Sequence, residues 1–177
     1  VAEADEYITD PNHDTTPRFL WQKPDMLVVT NIDFDHPDAY ASLAAVQAAF
    51  VKLQEQSKIT IVNADDPASK VLDASITYGF SPKAEFRVTN VRFGEERTFF
   101  TLDQNGMKLS EFTLKVPGKH NAVNAAAAAI ACKQLGLSWE QIAKGLLKFG
   151  GTKRRFEFVG NPPAGGGDIR IYDDYAH

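Results

Sequence analysis

Between Pro24 and Phe80 the chain alternates short, almost unbroken apolar runs with stretches of helical spacing, and that rhythm admits few folds. Met26–Val29 is one such run. Leu43, Val46, Ala49, Phe50 and Leu53 then recur every three or four residues within Asp38–Gln56, as on one face of an amphipathic helix. Ile59–Asn63 is a second run, Ala68–Ala74 a short helix, and Ser75–Phe80 a third run. Runs without polar alternation belong to strands covered on both faces, so the segment predicts a βαβ unit with a parallel sheet. In such a sheet the residues just past the carboxyl ends of the strands line the ligand crevice.

From Ala84 to Val116 the periodicity becomes two, as in "EFRVTNVRF", and Asn105-Gly106 supplies the positive-φ pair of a tight hairpin. An antiparallel meander is therefore expected beside the parallel strands. A helix follows, starting near Asn121 and stopped by Gly136, and then another with Ser138 as N-cap and Gln141 completing a capping box. Gly150-Gly151 marks a boundary between residues 1–150 and 151–177. Beyond it "RRFEFVG" and "DIRIYDDYAH" read as two strands around the glycine-rich turn Ala164–Gly167. The predicted class is α/β: a mostly parallel sheet with flanking helices, plus the meander.

Net charge is −4 and no basic run exceeds Lys153-Arg154-Arg155, which excludes a phosphate-neutralising nucleic-acid face. The longest apolar run, Ala125–Cys132, is far short of the roughly 20 residues a bilayer span needs, so no membrane partner is expected. Cys132 is the single cysteine, which excludes an intrachain disulfide and favours a cytoplasmic setting. Both ends fall within polar clusters, so the chain is expected to be a piece of a longer protein.

Four polar groups stand at the ends of apolar runs: "EADE", "DFDH", "GKHNAVN" and "KRRFE…YDDYAH". With Val1-Ala2 as the tail of a strand, Glu3 at its tip and His36 at the next tip could share one divalent cation. The competing reading makes "DFDH" a solvated loop, with Asp38 capping the following helix. Asn121 and Asn124 lie one turn apart at a helix start, where free amides favour anions and an amide side chain suits the edge of a purine. Alternatively Asn121 is only an N-cap and Asn124 a surface residue. Strand alternation sends Arg154 and Arg155 to opposite faces, leaving one to reach a phosphate, and one of Asp173 and Asp174 to face the crevice. His13 reads as a solvated loop residue.

Taken in order, "EADE", "TNIDFDHPDAY", "VPGKHNAVNAAAA", "GTKRRFE" and "DDYAH" resemble the Mur ligases of bacterial cell-wall synthesis. The resemblance runs from Val1 to His177. It implies that residues 1–150 are the later part of the central ATP-binding domain and 151–177 the opening strands of the C-terminal domain. "HNAVNAAAA" and "GTKRRFE" lean toward the branch that adds L-alanine to UDP-N-acetylmuramate, whereas "EADEY" and "FDH" lean toward the branch that reattaches recycled murein tripeptide. The family forms an amide through an acyl phosphate at the expense of ATP. By resemblance, Glu3 and His36 are ligands of Mg²⁺, His120 and Asn124 contact adenine, and Asn121 caps the helix. Arg155 and Asp174 match residues that reach ATP, and Tyr175 and His177 match positions near the incoming amino acid.

Three features depart from the family pattern. No G-x-x-x-x-G-K-[ST] phosphate loop occurs; it is expected upstream of Val1, and the chain alone is expected not to turn over ATP. Lys52 receives no role, because the alanine-adding branch generally lacks the modified lysine of its relatives. Tyr7–Phe19 is longer and more polar than usual for the family. Two further classes compete: a metal-dependent hydrolase built on "DFDH" and "DDYAH", and a nucleotide-binding relative without catalysis.

Overall fold

β-Branched residues decide the first element. Ile8, Thr9, Thr15 and Thr16 flank a polar turn, and the computed structural model folds them into a hairpin of β1 (Ile8–Asp10) and β2 (Asp14–Pro17). The structure describes all residues except 95–96, 156, 162, 165–166 and 176–177. At the hairpin tip the Asp10 carboxylate accepts the Asn12 amide at 2.9 Å, and exposed His13 pairs with Asp10 at 3.1 Å. A 3₁₀ turn (Arg18–Trp21) then buries Phe19 and leads to β3 (Met26–Val29).

Helix α1 (Leu43–Glu55) starts later than the sequence reading placed it, and Ser42, not Asp38, caps it by accepting the Ala45 amide. Asp38 is engaged elsewhere, by the Tyr7 hydroxyl. Strand β4 (Ile59–Asn63) pairs parallel with β3, and β5 (Ile76–Gly79) pairs parallel with β4. Between these two strands the predicted short helix is a single 3₁₀ turn, Ala68–Val71. Strand β6 (Phe86–Phe93) joins β5 in parallel over two residue pairs and runs on past its end. With β7 (Thr98–Gln104) and β8 (Met107–Leu114) it forms the predicted antiparallel meander. Asn105 and Gly106 have φ of 51° and 79° at the β7–β8 turn, as a tight primed hairpin requires. The six strands lie in the order β3-β4-β5-β6-β7-β8.

Two helices cover the sheet's second face. Helix α2 (Lys119–Gln134) lays its alanines across Ile61, Tyr78, Val88, Phe100 and Leu102, with Ala122, Ala126, Ala129 and Ile130 fully buried. Helix α3 (Trp139–Lys148) carries the predicted capping box and adds Ile142 to the same core. On the opposite face α1 packs Val46, Ala49 and Leu53 against Leu27, Val29, Val62 and Phe19. After Gly151 (φ 101°) the chain builds β9 (Glu157–Gly160), the short pair β10 (Pro163–Ala164) and β11 (Gly167–Asp168), and β12 (Ile171–Asp173). Strands β9 and β12 pair antiparallel in a sheet of their own. Part of the predicted glycine-rich turn, residues 165–166, lies outside the described residues.

Because α2 uses methyl groups as its packing face, it tolerates no enlargement there. Ala126→Leu is expected to cost about 1–3 kcal/mol by overpacking, whereas Ala128→Leu, on the exposed side of the same helix, stays within about 0.5 kcal/mol. Urea unfolding midpoints of the two variants check this, and equal midpoints would contradict the packing.

Candidate functional site

The carboxyl ends of β3 and β4 are laced together by side chains. Asn63 donates from its amide to the Thr30 carbonyl at 2.9 Å, and the Ile32 amide donates to Asp66 Oδ2 at 3.0 Å. Asp66 also accepts the Ala68 and Ser69 amides and the Ser69 hydroxyl. Ile32 is buried, so the segment that follows it, Asp33–His36, leaves the sheet from a fixed point while Asp33, Phe34 and Asp35 face solvent. Neither Asp65 nor Asp66 was assigned a role from the sequence. Their signal was the repeated pattern of an apolar run ending in carboxylates.

His36 Nε2 stands 3.3 Å from Glu6 Oε1. The carboxylate that meets the imidazole is thus Glu6, three residues beyond the expected Glu3. Val1–Ala2 does not form the strand tail that was to place Glu3; residues 1–6 carry no strand. Glu3 and Glu6 nonetheless line one groove of about 1060 Å³ with Asp33 and Asp35, and the groove continues along β3 between Phe50 and Leu53 of α1 and, on the other side, Ala131 of α2 and Leu135 just past its end. The buried Tyr40 hydroxyl donates to the Glu6 carbonyl at 2.5 Å, and its pKa is pushed up to about 12 by burial and by the Glu6 and Asp5 charges. Burial works against the Asp5 carboxylate. The Tyr7 amide at 2.9 Å and the Arg18 guanidinium at 2.6 Å outweigh it and hold its pKa below the usual value.

At the end of β5 the Asp65 carboxylate accepts the Phe80 and Ser81 amides at 2.6 and 2.7 Å. Gly79 (φ 144°) lies so close that a Cβ there would fall 2.7 Å from Asp65 Oδ2, so only glycine fits. This holds Phe80 under the start of α2, where Lys119 Nζ sits 4.3 Å above its ring. The helix is capped by Gly118 (φ 116°) without a side-chain acceptor, and Asn121 does not cap it as expected. Asn121 lies in the first turn and its amide instead donates back to the Pro117 carbonyl at 2.6 Å. His120 and Asn124 are exposed at that end of the helix. Unsatisfied amides and the positive end of the helix dipole there favour an anion.

The remaining candidates gather on the small sheet. Residues 153–155 form a turn, not a strand, so the expected alternation of Arg154 and Arg155 does not arise. Arg154 (φ 57°) places its guanidinium 4.5 Å over the Tyr175 ring and 4.0 Å from Asp173, while Tyr175 donates its amide to the Arg154 carbonyl at 2.7 Å. Arg155 is exposed, as is Asp174 just past β12. His177 lies outside the described residues.

Among the described residues no three His, Cys, Asp or Glu side chains converge as a ready-made metal cluster. The Glu6–His36 pair offers one oxygen and one nitrogen donor. That suits a Mg²⁺ ion whose other positions come from phosphate and water, and does not suit an all-protein cage.

The Mur ligase middle domain matches residues 12–132. Among curated relatives, the UDP-N-acetylmuramate–L-alanine ligase of Desulfitobacterium hafniense is 38% identical over 166 residues, covering 90% of this chain and 36% of that protein. The enzyme of the same name from Syntrophotalea carbinolica is 35% identical over 185 residues, covering 100% of this chain and 38% of that protein. The chain therefore spans little more than a third of the length of these relatives. The crystal structure of UDP-N-acetylmuramate–alanine ligase from Thermotoga maritima superposes with a TM-score of 0.79 at 29% identity, covering 90% of this chain and 36% of that one. The UDP-N-acetylmuramate:L-alanyl-gamma-D-glutamyl-meso-diaminopimelate ligase from Neisseria meningitides shares the fold at 24% identity and a TM-score of 0.74, over 86% of this chain and 48% of that one. A middle-domain match over most of the chain, on a fold whose strand ends carry the geometry above, establishes that the chain belongs to the Mur ligase family.

Proposed function

We propose that this chain is part of an ATP-dependent, ADP-forming ligase that joins L-alanine to the carboxylate of UDP-N-acetylmuramate in peptidoglycan precursor synthesis. Residues 1–150 would be the later part of its central ATP-binding domain and 151–177 the opening strands of the C-terminal domain. The observation that carries the reading is the meeting of His36 with a carboxylate at 3.3 Å at the end of a parallel strand, in a sheet whose β5 end touches the amide-rich start of α2. Relatives bearing that enzyme's name match the chain along its length. The lone cysteine accords with a reaction in the cytoplasm, and the proposed substrates are small molecules.

In this reaction a muramate carboxylate oxygen bonds to the γ-phosphorus of ATP as the bond to ADP breaks. The alanine amine then attacks the acyl carbon, phosphate leaves, and the amine gives up a proton. His36, with Glu3 or Glu6, would hold the Mg²⁺ at the transferring phosphoryl group. Bound there, Mg²⁺ supplies charge neutralisation for phosphoryl transfer. His120 and Asn124 would hold the adenine edge, with Asn121 bracing the helix start. Arg155 and Asp174 would reach the nucleotide from the small sheet, and Tyr175 and His177 would lie toward the amine. A hydrolase would need "DFDH" and "DDYAH" to converge as metal ligands; among the described residues, which leave out His177, no three His, Cys, Asp or Glu side chains do so.

A second reading, transfer of a recycled tripeptide, draws on "EADEY" and on the fold shared with the Neisseria ligase. Purified full-length protein given ATP and UDP-N-acetylmuramate separates the two. ADP release that depends on L-alanine supports the first, and release that depends only on the tripeptide replaces it with the second.

Two substitutions test the site in the full-length protein. His36→Ala is expected to lower kcat for amide formation about 10²–10³-fold while UDP-N-acetylmuramate still binds, and a variant that keeps most of its rate would refute the metal assignment. Asn124→Ala is expected to raise the KM for ATP about tenfold with kcat little changed, the loss of roughly one hydrogen bond. Unchanged ATP dependence would make Asn124 an ordinary surface residue.

A further inference from the structure

The polar segment Tyr7–Phe19, which the ligase reading leaves without a role, places one aromatic residue against the proposed metal ligand. The Tyr7 ring meets the His36 imidazole edge-on, with centroids 4.9 Å apart and planes at 61°. Its hydroxyl donates to Asp38 Oδ2 at 2.5 Å, two residues past His36 on the same loop. Tyr7 therefore grips the loop at two points, the imidazole and the carboxylate.

Tyr7 is itself held firmly. Its amide donates to Asp5 at 2.9 Å and its carbonyl accepts the Arg18 amide at 2.9 Å. The Arg18 guanidinium, tied to Asp5 at 2.6 Å, lies 5.8 Å from the ring centroid. Behind β1 and β2, Trp21 Nε1 donates to Thr9 Oγ1 at 2.9 Å and closes the hairpin onto the 3₁₀ turn. The hairpin thus supplies a braced aromatic wall on one side of His36, while Glu6 faces Nε2. Left to itself, an imidazole that is one-third exposed samples several ring orientations, of which few aim Nε2 at one point.

We infer that Tyr7 is a positioning residue for His36: its ring fixes the imidazole's orientation, and its hydroxyl, through Asp38, fixes the loop that carries it. This rests on the reading of His36 as a metal ligand. Groups that orient a ligand without touching the metal commonly change metal affinity or activity by about 10–100-fold when removed.

The test uses the full-length protein and two readouts: the His36 ring-proton resonances without metal, and the Mg²⁺ concentration giving half-maximal rate. Tyr7→Ala should remove the aromatic ring-current shift from His36 and raise the Mg²⁺ requirement about tenfold or more, with the KM for the amine unchanged. Tyr7→Phe and Asp38→Ala should each raise the requirement by a smaller, similar factor, and the double variant should add little to either, because both remove the same tie. If Tyr7→Ala leaves the Mg²⁺ requirement unchanged while His36→Ala is inactive, the inference is wrong and the metal reading stands. If His36→Ala keeps its rate, the metal reading fails and takes the inference with it. Should Tyr7→Ala not fold, Tyr7→Phe decides the matter, and a wild-type Mg²⁺ requirement in that variant overturns the inference.

Discussion

Strand β4 is apolar on both faces, with Thr60, Ile61 and Val62 all buried, and the architecture follows from covering both sides of it. A parallel strand cannot leave one face to water without losing the burial that stabilises it. Helix α1 covers the Val62 side and α2 the Ile61 side. Because α2 runs back across the sheet, its first turn reaches the carboxyl end of β5, where Lys119 lies over Phe80. Unsatisfied helix amides and polar strand tips come to share one edge for reasons of packing alone. The chemistry proposed here uses an edge that the hydrophobic core had already assembled.

Crowding carboxylates at that edge carries an electrostatic cost, and local hydrogen bonds offset it. Asp65 takes two amides, Asp66 takes three together with a hydroxyl, Asp5 an amide and a guanidinium, and Asp38 a phenol. The Tyr7 hydroxyl holds the Asp38 carboxyl below its ordinary pKa, and Asp38 in return raises that of Tyr7. Since the Asp5 and Asp38 values are depressed, the support they give is present above the unfolded carboxylate pKa and is lost as pH falls through the lowered folded values. Glu3 and Asp35 have no such donors among the described residues, and they line one groove with Glu6.

Much of this was legible in the sequence. Unbroken apolar runs fixed the parallel strands, Asn105-Gly106 fixed the β7–β8 hairpin, and Ser138 with Gln141 fixed the start of α3. Each is a local signal that tertiary context had no reason to override. The N-terminal hairpin was missed because its strands are only three and four residues long and bury Ile8 alone, so they show no period-two alternation to set them apart from a solvated loop. Asn121 was misread because Gly118, in a conformation few residues other than glycine adopt, starts the helix three residues earlier. Arg154 and Arg155 were placed in a strand, but the positive φ of Arg154 ends that possibility three residues before β9 begins.

The choice between Glu3 and Glu6 shows where reading by spacing stops. The two carboxylates are three residues apart in a segment without regular structure, so no periodicity decides which one meets the imidazole. Contacts from outside the segment decide it. The Tyr40 hydroxyl grips the Glu6 carbonyl from one side, while the Tyr7 amide and Arg18 grip Asp5 from the other, and Glu6 is left facing His36. Glu3 lies beyond the last of these anchors, in a stretch without regular structure. On the proposed metal reading, Glu6 would be the carboxylate whose place beside His36 is fixed by its neighbours, and Glu3 would join it from the same groove.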